Sequence, residues 1–197
     1  MNVNRKEITK LLTNTLINGR LLDRKYYAKE VTVDYGTNHP KRVDVMQFIP
    51  KGVTYSSDIE KGIFICYEVK SCKQDIYSGN GLNFFGEKNY IVMTMETWKD
   101  IGENYHNGDL GRYILQNYPE SSSNFGILVA VPNHIDIKSS DDVYAEFENP
   151  TEFKGSPSEW KLYPVVNCHE KTRKRSMNEL LFCMLRSKHS STNTQYE

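Results

Sequence analysis

Residues 62–72 read "GIFICYEVKSC". Alternate residues of a strand share a face, so Ile63, Ile65, Tyr67 and Val69 point one way. Phe64, Cys66, Glu68 and Lys70 point the other. The first face is apolar and suits packing under a helix. The second begins apolar and ends in two opposite charges, the pattern expected of a strand whose end opens into a cleft. The segment before it mirrors this: in "KRVDVMQFIP" (41–50), Arg42, Asp44, Met46 and Phe48 share a face that is polar first and apolar later. A hairpin with its loop between Pro50 and Gly62 sets Asp44 opposite Glu68, and a slip of one residue would break the match.

Opposed side chains on one face lie about 4.5–5.5 Å apart at Cβ, and like charges so placed repel. A divalent cation relieves that repulsion, since hard cations take carboxylate oxygens. Asp44 and Glu68 are therefore candidate ligands of Mg2+ or Mn2+, with the main-chain carbonyl of Val69 completing the shell. Lys70, one step further along the face, adds a fixed positive charge. Such a site suits phosphodiester hydrolysis. The metal polarises a phosphoryl oxygen and acidifies a bound water, and the lysine holds that water or steadies developing charge.

The wider sequence fits this frame. The chain has 197 residues, 38% of them hydrophobic and 25% charged, an ordinary globular composition with room for a substantial core. The formal net charge is zero, so a nucleic-acid partner must be met by local patches. The four cysteines form no CxxC pair, which favours reduced thiols over a disulfide framework or a zinc site. A polar N-terminus and the shortness of "GILVAVP" argue against a signal peptide or a membrane span. The expected protein is cytoplasmic.

Periodicity predicts a helix over "RKEITKLLTNTLINGRLL", stopping near Gly19, and strands in "YYAKEVTVDYG", "KRVDVMQFIP" and "GIFICYEVKSC". "GVTYSSDIEKG" reads as a polar connection. A short glycine-broken helix is expected after the third strand, then a strand over "YIVMTMETW", a helix toward Tyr113–Leu115 and a buried strand at "FGILVAVPN". Beyond it the chain reads as irregular with a possible short strand, until a helix at "SMNELLFCMLRSK". Three strands joined by short turns imply an antiparallel meander, and the later, helix-separated strands imply crossovers. The expected fold is α/β, a mixed sheet flanked by helices. Residues 1–135 would form the core domain, 136–190 a C-terminal elaboration packing on it, and 191–197 a disordered tail.

Asp44 followed by Glu68-Val69-Lys70 on a later strand resembles the motif of the PD-(D/E)XK nuclease superfamily. The expected element order also resembles that superfamily's restriction-endonuclease-like αβββαβ core, over roughly residues 5–132. "YEVKSCKQDI" followed by "NYIVM" is similar to the MmcB-like and VRR-NUC-like branches, in which a Lys-Ser pair and a downstream Asp follow the catalytic strand. Lys70, Ser71 and Asp75 occupy those places. One departure is that Val43, not Pro, precedes Asp44. The resemblance implies a Mg2+- or Mn2+-dependent deoxyribonuclease acting in DNA repair, recombination or phage DNA processing, with a homodimer as one arrangement. It also implies a helix-one glutamate in the metal shell, with Glu7 as the matching residue and Glu30 as the alternative. The other outcome is a non-catalytic nucleic-acid- or protein-binding module on a degenerate nuclease fold.

Several further residues have two readings. Glu7 also suits the helix dipole. Gln74 is placed to orient a water or contact a phosphate, and Asp75 equally to cap a helix. "SGNGLNFFGEKN" (78–89) is either a loop over the cleft or one whose Phe84 and Phe85 anchor the core, and Lys88 would face the cleft. "HEKTRKRS" (169–176) is the densest basic run; Lys171, Arg173, Lys174 and Arg175 would contact phosphates or form a solvated helix start. No paired-aromatic platform for a single strand stands out among the tyrosines.

Overall fold

A computed structural model of the chain describes residues 4–22, 26–119, 121 and 124–187. The helix α1 (Arg5–Leu16) is capped by the Asn4 side chain and runs on into a π-helical turn, Ile17–Leu21, through the expected stop at Gly19. Then follow β1 (Tyr27–Val33), β2 (Lys41–Ile49), a short α2 (Ser56–Glu60), β3 (Ile63–Val69) and a single helical turn α3 (Lys73–Ile76). Next come β4 (Lys88–Thr94), α4 (Met95–His106), α5 (Asp109–Asn117), β5 (Gly126–Pro132), α6 (Ser140–Glu148), β6 (Trp160–Val166) and α7 (Met177–Arg186).

The six strands form one mixed sheet in the order β1-β2-β3-β4-β5-β6. Pairing is antiparallel between β1, β2 and β3, parallel between β3, β4 and β5, and antiparallel again between β5 and β6. The α/β class, the three-stranded meander and the later crossovers are those expected from sequence.

Alternation distributes three packed clusters over the sheet. On one face Val45, Ile65, Tyr67, Val69 and Val92 pack with Leu12, Leu16, Ile17 and Leu21 of the first helix and its π-turn. This is the apolar face of β3 predicted to lie under a helix. On the other face, Ile91, Met93, Ile127 and Val129 pack with Trp98 and Ile101 of α4 and Leu110 and Ile114 of α5. Over β1–β3, Val31, Val33, Met46, Phe64 and Cys66 pack with Leu180, Cys183 and Met184 of α7. All of β5 is buried, as its continuous apolar run requires.

The local differences have plain causes. "YIVMTMETW" is not a single strand. Thr94 ends β4, and its hydroxyl accepts from Thr97 N–H at 3.1 Å, which starts α4 at Met95. Gly108, with φ 76°, separates α4 from α5. The polar connection before β3 contains α2, in which Asp58 Oδ2 accepts from Tyr55 N–H at 3.2 Å. The stretch expected to be irregular with a short strand holds that strand as the edge β6, and also a helix, α6, that was not expected. Beyond residue 135 the chain thus adds a strand to the sheet and, in α7, a helix that packs on β1. β1 ends at Val33, and Asp34 turns the chain at φ 57°, so Tyr35 leaves the strand face predicted for it and stands in solvent. The tail 191–197 lies outside the described residues. Among the described residues no helix is long and apolar enough to cross a membrane, and Cys66, Cys72, Cys168 and Cys183 are all unpaired.

Candidate active site

The β2–β3 register pairs Val45 with Tyr67, Gln47 with Ile65 and Ile49 with Ile63. Continued by one residue, it sets Asp44 opposite Glu68, the register expected from the hairpin ends. The two carboxylates are held differently. Asp44 is half-buried, and its Oδ2 accepts from Val69 N–H at 2.8 Å. Val69 thus meets Asp44 through its amide, whereas the sequence suggested a role for its carbonyl. Glu68 is 0% exposed. Its Oε1 accepts from Asn83 N–H at 3.0 Å, and its Oε2 has no hydrogen-bond partner among the described residues.

Lys70 is 4% exposed, and its ammonium donates to Asn80 O at 2.8 Å and stands 3.9 Å from Asp75 Oδ1. Asp75 Oδ2 accepts from Ser71 N–H at 3.0 Å and Ser71 Oγ at 3.2 Å. Asp75 lies inside α3, whose N-cap is Cys72, so it does not cap the helix; it ties Ser71 to the turn and joins the site only through its second oxygen.

Electrostatics follow from this crowding. Burial, and next the neighbouring Asp44 charge, hold the Glu68 carboxyl well above the usual glutamate range, against the pull of Lys70 and the Asn83 amide. Burial also raises Asp44, opposed by the Val69 N–H and Lys70. Glu30 adds to that rise, which places its carboxylate in the field of Asp44.

One expectation holds only in part. Val69 and Lys70 at the end of β3 border a cleft, but Glu68 does not open into it, because the segment 79–83 covers it. Gly79 and Gly81 both have φ of 79°, and the buried Leu82 has φ 61°. This left-handed run lays the Gly81 backbone directly on the site. A Cβ at Gly81 would stand 2.6 Å from Lys70 Nζ and 2.8 Å from Glu68 Oε2. The segment is pinned by Asn83, which also donates to Arg42 O at 2.8 Å, and by Ser121 Oγ, which donates to Leu82 O at 2.8 Å. Phe84 and Phe85 are core anchors, not surface rings.

Asp44, Val69 and Lys70 do line an open cleft of about 880 Å3, together with Asp75, Gly81 and Tyr118. A groove of about 1220 Å3 adjoins it, and the two share Thr9, Glu30, Thr32, Arg42 and Asp44. From helix α1 it is Lys6, Thr9, Lys10, Thr13 and Asn14 that line this space. Glu7 is exposed and lines neither opening, so the structure does not bring it to Asp44 and Glu68. Glu30 does line both, at φ 54° in β1 and with Arg42 Nη1 2.7 Å from its carboxylate. Among the described residues no group of three or more His, Cys, Asp or Glu side chains converges as a metal cage.

The other predicted contacts lie elsewhere. Gln74 is exposed on α3 and lines neither opening. Lys88 opens β4 beside Ile65, away from the end of β3, 3.9 Å from Glu170. The basic run is occupied by structural work. Arg173 pairs with the buried Glu87, whose other oxygen accepts from Phe64 N–H at 2.8 Å. Arg175 bridges Asp34 at 2.8 Å and Glu179 at 3.1 Å. Lys174 donates to Pro119 O at 3.2 Å, and the Lys171 amide to Glu87 O at 3.0 Å. Lys171, Arg173 and Lys174 line a separate small pocket with Phe84 and Leu115.

Set beside models of protein families, curated proteins and solved structures, the chain matches none of them.

Proposed function

We propose that this chain is a Mg2+- or Mn2+-dependent deoxyribonuclease of the PD-(D/E)XK type, hydrolysing phosphodiester bonds at Asp44, Glu68 and Lys70. The observation that carries this reading is the pair of carboxylates in register on β2 and β3, with one Glu68 oxygen buried and unpartnered and an ammonium beside it. A buried acceptor without a donor costs about 1–3 kcal/mol. A charged group raised by a second carboxylate adds to that cost. Both costs would fall if Asp44 and Glu68 held a cation.

The donor set suits Mg2+, which commonly takes only one or two carboxylates and completes its octahedron with water and substrate phosphate oxygens. Asp44 and Glu68 would hold the ion. Bound there, it would supply Lewis-acid polarisation of the phosphoryl group and an acidified water. Lys70 would steady the negative charge that develops on the phosphoryl oxygens, from a position fixed by Asn80 O and the Asp75 carboxylate. Val69 N–H orients Asp44. The segment 79–83 must lift for a phosphate to reach Glu68, which makes it a gate over the chemistry.

The same cover favours a second reading, a non-catalytic binding module in which Glu68 and Lys70 are permanently sealed. Digestion of plasmid, linear, branched and single-stranded DNA with Mn2+ separates the two. Cleavage by the wild type that Glu68→Gln abolishes supports the nuclease. Identical product patterns from the two proteins would sink it.

A further inference from the structure

Lys6, Lys10, Lys29 and Arg186 line the groove that reaches Asp44. Among the described residues none of the four has a carboxylate within ion-pair distance. Lys6 and Lys10 stand one turn apart on α1, so their ammonium groups share a side of the helix. The contrast with Arg173 and Arg175, each tied to carboxylates of the fold, is direct.

One aromatic ring, Tyr35, lines this groove, and a second, Phe182, stands beside it across Arg186. Tyr35 is 68% exposed and Phe182 59% exposed. Arg186 places its guanidinium carbon 3.8 Å from the Tyr35 ring centroid and 5.5 Å from that of Phe182, one turn back on α7. Tyr35 is carried there by the left-handed turn at Asp34, and Arg175 fixes that turn by bridging Asp34 to Glu179 of α7. Two exposed rings joined by a guanidinium, beside unpaired cations, combine base-stacking surface with phosphate-binding charge. That pairing is what single-stranded nucleic-acid sites share.

We propose that the groove binds a single-stranded polynucleotide, with bases stacked on Tyr35 and Phe182 and phosphates on Lys6, Lys10, Lys29 and Arg186. The strand path then ends at Asp44. Only that direction of travel rests on the nuclease reading. Duplex bases are stacked on one another and offer the rings little, so a duplex would meet the cations alone.

Fluorescence anisotropy in EDTA, with fluorescein-labelled oligothymidylate, oligouridylate and a duplex of equal length, tests binding without chemistry. Single strands should bind more tightly than the duplex. Tyr35→Ala and Phe182→Ala should each weaken single-strand binding by roughly five- to hundredfold, with Tyr35→Trp restoring it. Both rings are exposed, so these variants should fold as the wild type does. Replacing Lys6 and Lys10 together by Ala should flatten the dependence of log K on log salt by about 0.7 for each phosphate that is no longer neutralised. Either order of thymidylate and uridylate upholds the proposal and names the sugar that is preferred. A duplex bound as tightly as the single strand, or an unchanged affinity in Tyr35→Ala, overturns it. The wild-type protein serves for both readouts, anisotropy in EDTA and cleavage in Mn2+. Binding without cleavage therefore removes the nuclease and leaves the groove, and cleavage indifferent to Tyr35 does the reverse.

Discussion

Replacing Glu68 by Gln should make the protein more stable while removing its response to metal. Burial and the Asp44 charge raise the Glu68 pKa in the folded state. Folded Glu68 therefore holds its proton to higher pH than unfolded Glu68. Its stabilising contribution is complete below the ordinary glutamate pKa and is lost as pH rises through the raised value. Glutamine keeps the acceptor for Asn83 N–H and carries no charge at any pH. The advantage of Glu68→Gln should be small in acid and should grow as the solution becomes alkaline. The glutamine NH2 is as partnerless as Oε2, so the gain comes from removing the buried charge beside Asp44, on a scale of about 1–3 kcal/mol. For a chain of this length each kcal/mol moves Tm by about 2–4 °C, so the gain should fall between about 2 and 12 °C. Mn2+ at a hundredfold excess over its Kd should stabilise the wild type by about 2.7 kcal/mol. The variant, left with one of the two carboxylates, should show much less. Differential scanning fluorimetry across pH, with and without Mn2+, measures both effects. A variant less stable than wild type at alkaline pH refutes the reasoning about Glu68. An equal Mn2+ shift in the two proteins refutes the shared cation site.

Gly81→Ala forces a Cβ onto a backbone at φ 79° and against Lys70 Nζ and Glu68 Oε2; it should cost about 1–3 kcal/mol in urea unfolding and blunt the Mn2+ response. Arg173→Ala leaves the Glu87 carboxylate buried without its cation; it should lose about 3 kcal/mol in the same assay, while oligothymidylate affinity at low temperature stays at the wild-type value. Burial pushes the Cys66 thiol up to about 12, so iodoacetamide followed by peptide mass spectrometry should modify Cys66 only after unfolding.

The central hairpin was legible because two local signals agree. The turn ends at Pro50 and Gly62 and the change from polar to apolar along each strand both select the register that the sheet adopts. What sequence could not supply is the covering of that site. The exposure of Glu68 and Lys70 depends on the path of residues 79–83, and that path is set by Asn83 and Ser121 contacts far along the chain. The basic run 169–176 looked like a phosphate surface because composition does not reveal partners. Its arginines face Glu87 and Asp34, separated from them by 86 and 141 residues. The aromatic pair was missed for the same reason. Tyr35 and Phe182 meet through Arg186 only because α7 packs on β1. Glu30 was identifiable as the alternative to a helix-one glutamate, yet its place beside Asp44 comes from a positive φ in an edge strand, a conformation its sequence does not announce.

The strands lie side by side in the order in which they are synthesised. Each newly made strand finds its partner already waiting, and none must be inserted between two others. The β2–β3 hairpin that carries Asp44 and Glu68 can therefore close while β5, β6 and α7 are still to be made. Its two acidic groups are brought together early, whereas the rings at Tyr35 and Phe182 meet only when the last described helix docks. On the ribosome, the carboxylate pair is an early product of folding and the aromatic end of the groove a late one.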